Sequence, residues 1–137
     1  MIRRHMIGVG LILLFTAYSM GCAPKQRKLS LNEAVREFND ALRWRRHLSA
    51  SKFVMPMDRA RFVKEQDNFA DDSRIMEYEV REIARLDGKN MVVRVRVQYT
   101  SRASHVVIKE NRRQIWTQVS GDWFVLRLEK EDPGKDS

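Results

Sequence analysis

From Leu31 onward, apolar residues return every three or four positions. Leu31, Ala34, Val35, Phe38, Ala41 and Leu42 form one stripe, while Arg36, Glu37, Asn39, Asp40 and Arg43 fall mostly on other faces. That period predicts an amphipathic helix. Its start is marked by Ser30-Leu31-Asn32-Glu33, a Ser followed three residues later by Glu, with Leu29 and Ala34 placed to staple across the cap. The helix is expected to run to about Leu48. Ala50 to Val54 suggests one more turn before Pro56, which has no N–H to give, interrupts. Asp58 is placed to cap a second helix that shows Phe62, Val63, Gln66 and Phe69 on one side, and Asp71-Asp72 suggests a loop after it.

At Arg74 the period changes to two. Met76, Tyr78, Val80, Ala84 and Leu86 read as one face of a strand, with Glu77, Glu79 and Arg81 on the other. Asp87-Gly88 signals a tight hairpin. In the next strand Met91, Val93, Val95, Val97 and Tyr99 share a face, opposite Arg94, Arg96 and Gln98. Ser101 to Ser104 makes a turn. In His105 to Val119 the parity conflicts: Val106 and Ile108 agree with Trp116 but oppose Ile115, Thr117 and Val119, and a bulge near Asn111 to Arg113 would reconcile them. After Ser120-Gly121-Asp122, Trp123 to Glu129 is the last strand. Helices followed by consecutive antiparallel strands predict an α+β domain with its helices on one face of the sheet.

Ahead of this domain the pattern is different. Arg3 and Arg4 precede an uncharged apolar run, Ile7 to Met20, followed by Gly21 and the only cysteine, Cys22. A basic start, a short apolar run and a small residue before a cut site describe an export signal. The run falls short of the roughly 20 apolar residues that span a bilayer, although a short uncleaved anchor helix remains the alternative. The residues around Cys22 resemble a bacterial lipobox, with Gly21 in place and Ser19 where an aliphatic residue is usual. The resemblance implies cleavage before Cys22, a diacylglyceryl group on its sulfur and acylation of its new amine. Several acyl chains anchor stably where one does not. Ala23 rather than Asp after the cysteine points, by the same resemblance, to the outer more than the inner membrane, on the periplasmic face. The chain thus divides into a signal (1–21), a lipidated tether (22–28), a domain (29–129) and a tail (130–137) that contains Pro133 and Gly134 and is expected to fray.

Composition changes this picture little. At 137 residues the chain holds one domain, and a single cysteine rules out an internal disulfide. The net charge of +8 is spread among acids, which suits a solvated basic surface or an anionic partner.

The order of a long helix, shorter helical elements and long hairpin strands resembles the NTF2-like superfamily. The local signal is Gln114-Ile115-Trp116 on one strand and Gly121-Asp122-Trp123 opening the next. That resemblance covers about Leu29 to Glu129 and implies a curved sheet wrapped round the long helix, with a pocket at the open end of the cone. It also implies an outer sheet face used by homodimers or other partners. The superfamily includes isomerases, dehydratases, polyketide cyclases, secretion components and non-enzymatic modules, so the fold selects no function.

No Gly-rich phosphate loop, paired-His metal motif or GxSxG elbow is present, and no cofactor is implied. An isomerase-like site would need a carboxylate base and a donor in the cone; Asp40, Tyr78 and Tyr99 are the candidates, with packing and solvation as the plainer role for each. Arg43, Trp44, Arg45, Arg46 and His47 form the densest basic cluster, suited to the negative end of a helix or to an anionic partner such as lipid phosphate or an acidic protein. Arg94 and Arg96, with Arg112 or Arg113, suggest a basic stripe on the outer sheet face that Glu77 and Glu79 could answer across strands. Nucleic acid is disfavoured for an exported domain. Three functions compete: a non-enzymatic lipoprotein that binds or assembles at the envelope, an anchored enzyme acting on a small apolar substrate, and a component of a secretion or transport system.

Overall fold

A computed structural model describes residues 27–132 together with Gly21. Cys22 and most of the signal, tether and tail lie outside the described residues. The elements follow in the order α1 (Leu31–Arg43), α2 (His47–Ser51), a 3-10 turn (Pro56–Asp58), α3 (Arg59–Asp72), β1 (Ser73–Asp87), β2 (Asn90–Ser101), β3 (Val107–Val119) and β4 (Asp122–Lys130). The strands form one antiparallel meander, β1-β2-β3-β4, and the helices pack on its concave face. This is an α+β fold of the NTF2-like kind.

The start of α1 is as its sequence dictates. Ser30 accepts from the Glu33 N–H (3.2 Å) and Glu33 accepts from the Ser30 N–H (3.1 Å), a closed capping box. Its end comes earlier than the expected Leu48. Arg45 takes φ +56°, its N–H reaches Leu42 O (3.2 Å), and the Arg46 N–H reaches Ala41 O (2.8 Å). This is a Schellman motif, which usually places Gly at the left-handed position; with Arg there, the stop carries no sequence flag.

Two further helix expectations are corrected. Asp58 precedes α3 but makes no cap to its backbone; the carboxylate accepts from Arg61 instead (2.9 Å). Asp71 and Asp72 form the last turn of α3 rather than a loop, and β1 begins at the next residue.

The strict alternation expected in β1 also fails. Register shifts between Ile75 and Glu77 and between Val80 and Glu82 reset its parity. Ile75, Tyr78 and Ile83 therefore pack on the core, while Met76 and Leu86 are exposed. In β2 the predicted face holds: Val93, Val95 and Val97 are buried, with Met91 and Tyr99 packed beside them. The expected bulge at Asn111 to Arg113 is absent, since β2 and β3 pair without interruption from Asn90↔Thr117 to Thr100↔Val107. The irregularity lies on the other side of β3, where Ile115 faces Arg127 and Trp116 faces Val125. The parity conflict has another cause: Gln114, Ile115, Trp116 and Thr117 are all buried, so both faces of β3 are covered there. His105 and Val106 belong to the preceding loop, and β4 continues through Lys130, after which the Glu131 N–H donates to Asn111 O (2.8 Å).

Aromatic rings fill the closed end of the cone. Trp116, with no exposed surface, meets Phe38 edge-on at 5.5 Å and Phe53 at 6.0 Å, and Phe62 lies 5.9 Å from Phe38. The Val125 N–H donates to Phe53 O (2.7 Å), tying the loop after α2 to the edge of β4.

Candidate functional site: the cone and its floor

The cone opens between α1, α3 and the concave face of the sheet. A cavity of about 240 Å³ remains there, with Leu42, Phe69, Ile75, Val97 and Leu128 as apolar wall and Tyr78, Arg112 and Lys130 among the polar groups. Its size is below that of most small-molecule pockets.

The floor is polar but neutral. Asn39, on the sheet-facing side of α1, and Gln114, on β3, are both buried. Gln114 Nε2 donates to Asn39 Oδ1 (2.8 Å), and Asn39 Nδ2 donates to Gln114 Oε1 (3.3 Å) and to Val35 O (2.8 Å). Trp116 Nε1 also donates to Gln114 Oε1 (3.1 Å). A buried amide without partners would cost about 1–3 kcal/mol. This pair removes most of that cost, leaving one Gln114 N–H unbonded among the described residues.

Charged groups stand higher up. Glu110 accepts from Arg112 Nε (2.7 Å) and lies 3.2 Å from Lys130 Nζ. Burial alone would raise its carboxyl, but the two cations outweigh burial and hold it below the usual range. The Arg112 guanidinium lies over the rings of Phe69 (5.2 Å) and Tyr99 (5.8 Å).

Of the three residues proposed for a pocket, the structure joins two. Tyr78 Oη donates to Asp40 Oδ1 (2.8 Å) and lies 3.3 Å from Arg36 O. Burial first, and then the Asp40 carboxylate, push the phenol up to about 12, so it stays a neutral donor at ordinary pH. Tyr78 lines the cavity whereas Asp40 does not. Tyr99 stands apart from the pair, packed edge-on against Phe69 at 5.3 Å.

The proposed basic surface divides. Arg43 and Arg45 share a cavity with each other; Arg46 faces a different one, with Asp40 and Glu37. On the outer sheet face Arg94 bonds Glu82 (2.7 Å) and Glu131 (3.1 Å), Arg96 Nε donates to Asn111 Oδ1 (3.4 Å), and Arg113 lies 3.8 Å from Glu129. The register sets Glu82 opposite Arg94, so Glu82 answers that arginine, not Glu77 or Glu79. Arg112 points into the cone. His47 Nδ1 lies 2.6 Å from Asp67 Oδ1, and no cluster of His, Cys, Asp and Glu suited to a metal occurs among the described residues.

Sequence reasoning missed Asn39 and Gln114. Asn39 looked like part of the polar side of α1, and Gln114 sat in the strand whose parity was ambiguous.

No protein-family model matches the chain, and no curated protein sequence matches it. Solved structures do. A SEC-C motif containing protein from Rhodopseudomonas palustris superposes with a TM-score of 0.63 at 15% identity, over 75% of this chain and 80% of that one. A ketosteroid isomerase-like protein from Erwinia carotovora atroseptica gives 0.57 at 14% identity, over 74% and 94%. An NTF2-like protein of unknown function from Cytophaga hutchinsonii gives 0.50 at 13%, over 78% and 95%. At these identities the likeness establishes a shared architecture, and that architecture is the NTF2-like cone.

Proposed function

We propose that this chain is a lipid-anchored protein of the bacterial envelope whose NTF2-like domain is a non-enzymatic binding module. The anchor is read from the signal pattern and Cys22. The module is read from the cone, and the observation that carries it is the Asn39–Gln114 pair. Proton-transfer chemistry needs a titratable group within reach of the reacting atom. At the floor of this cone stand two amides bonded to each other, while Glu65 and Lys130 sit at the mouth with largely exposed side chains and Glu129 is partly exposed there. The unbonded Gln114 N–H offers a small, mostly apolar molecule one hydrogen bond at the bottom of an apolar wall.

The experiment is an NMR screen of small amphipathic fragments against the full chain, read on the side-chain NH₂ signals of Asn39 and Gln114. Fragments that shift these signals and are recovered unchanged support the module. The alternative, an isomerase- or dehydratase-type enzyme, is favoured by the Tyr78–Asp40 contact beside the cavity. Conversion of a fragment that stops in both Tyr78→Phe and Asp40→Asn would replace the module with the enzyme. A secretion or transport role remains a third reading that differs only in partner.

A further inference from the structure

A second cavity, of about 490 Å³, lies at the pole where α1 ends, β1 begins and β2 turns into β3. Five basic side chains line it, Arg43 and Arg45 from the end of α1, Arg74 from β1, and Arg102 and His105 from the β2–β3 turn; no acidic residue does. These five are far apart in sequence, and only the first two belong to the basic cluster visible there.

The four arginines differ from Arg94 and Arg113 on the outer sheet face. Arg94 and Arg113 are answered by glutamates. Among the described residues, none of Arg43, Arg45, Arg74 and Arg102 is ion-paired with a carboxylate. Arg43 lies over the Trp44 ring at 5.0 Å, and Arg45 Nη2 reaches only the backbone oxygen of Ser73 (3.5 Å). The register adds hydroxyls, setting Ser73 opposite Ser101 and Arg74 opposite Thr100.

Backbone conformation is an independent observation. Three non-glycine residues have positive φ among the described residues, and two of them, Arg45 (+56°) and His105 (+52°), line this cavity. Both positions are of a kind that glycine or asparagine fills at less cost. A long basic side chain stands at one and an imidazole at the other against that preference, the kind of local strain that concentrates at functional sites.

We propose that this cavity is a binding site for a phosphate monoester. Several guanidinium groups converging without counter-ions suit a multiply charged tetrahedral anion that accepts hydrogen bonds from many directions. The exposed Trp44 ring beside them offers a flat apolar surface to whatever carries the phosphate. The chain enters the domain at the opposite pole, where Lys28 lies 3.1 Å from Asp122 and 3.2 Å from Ser120 O at the β3–β4 turn. The thirteen residues of β3 put roughly 40 Å between the two poles. If the anchor at Cys22 holds, the site lies at the pole remote from where the chain enters the domain, which favours a free ester over the headgroup of the anchoring membrane's lipid.

The test uses the full chain in non-ionic detergent and follows Trp44 emission, with a Trp44→Phe variant to subtract the other tryptophans. One arm titrates inorganic phosphate; the other titrates mixed micelles of the detergent and phosphatidylcholine with and without phosphatidic acid. Expected is a saturable response to phosphate at millimolar concentration or below, weakened at least tenfold in Arg45→Gly and in Arg74→Gln/Arg102→Gln. Arg45→Gly relieves the backbone, so its melting temperature should not fall, which separates lost binding from lost folding. A response to phosphatidic acid alone, with the same losses, keeps the site and assigns it to a lipid headgroup. No response in either arm, or responses unchanged in the variants, overturns the proposal.

Discussion

The side-chain amides of Asn39 and Gln114, 75 residues apart, bond to each other across the floor of the cone. A helix and a strand are thereby fixed in one registration by neutral groups, in a place where an unpaired polar atom would be costly.

The pair should behave as a unit under mutation. Asn39→Leu or Gln114→Leu alone strands a buried partner and should cost about 1–3 kcal/mol. The double variant should cost clearly less than the sum. Urea denaturation of the four proteins measures this, and strict additivity would mean that the amides do not interact.

Trp116 and Trp123 should differ. Trp116 is wholly buried among Phe38 and Phe53, whereas Trp123 is partly exposed. Trp116→Ala should destabilise by about 3–5 kcal/mol, and Trp123→Ala by less. Equal losses in chemical denaturation would contradict the packing at the closed end.

Arg45→Gly should stabilise the domain by about 1 kcal/mol, because it removes a side chain from a left-handed helix stop. Arg45→Ala should gain nothing, since alanine shares the steric conflict. Thermal melts of the two variants decide whether α1 ends as described.

The pH dependence has two limbs. Tyr78 holds its proton up to about 12 when folded, against an ordinary value of 10.0. It therefore contributes stability that is complete below about pH 10 and lost as pH rises towards 12. Tyr78→Phe should flatten the melting curve over that window. The Glu110 carboxyl is held below 4.5, so its contribution is present above that pH and is lost on acidification through the folded-state value. Glu110→Gln should reduce the acid-side loss; an unchanged acid limb would remove the Arg112–Glu110–Lys130 cluster from the account.

Where local rules acted alone, the sequence was a good guide. The capping box at Ser30 and Glu33, the inward face of β2 and the meander of hairpins all follow from short-range patterns. Errors arose where tertiary context overrode those patterns. The bulges of β1 have no residue signature, and β3 is covered on both faces at Ile115 and Thr117, so alternation could not give its orientation. The Schellman stop lacks its glycine. The candidate sites were less legible, because they join distant segments: Asp40 with Tyr78 was a pairing the sequence could suggest, while Asn39 with Gln114 and Arg45 with Arg74, Arg102 and His105 required the fold.

The lipid anchor proposed at Cys22 is tested most directly by the mass of the N-terminal peptide after expression of the full chain in bacteria. The expected result is a peptide that begins at Cys22 and carries a diacylglyceryl group and an acylated amine, absent when Cys22→Ser is expressed. An unmodified Cys22, or a chain still beginning at Met1 in the wild type, would contradict the anchor and leave the cone as a domain without an assigned address.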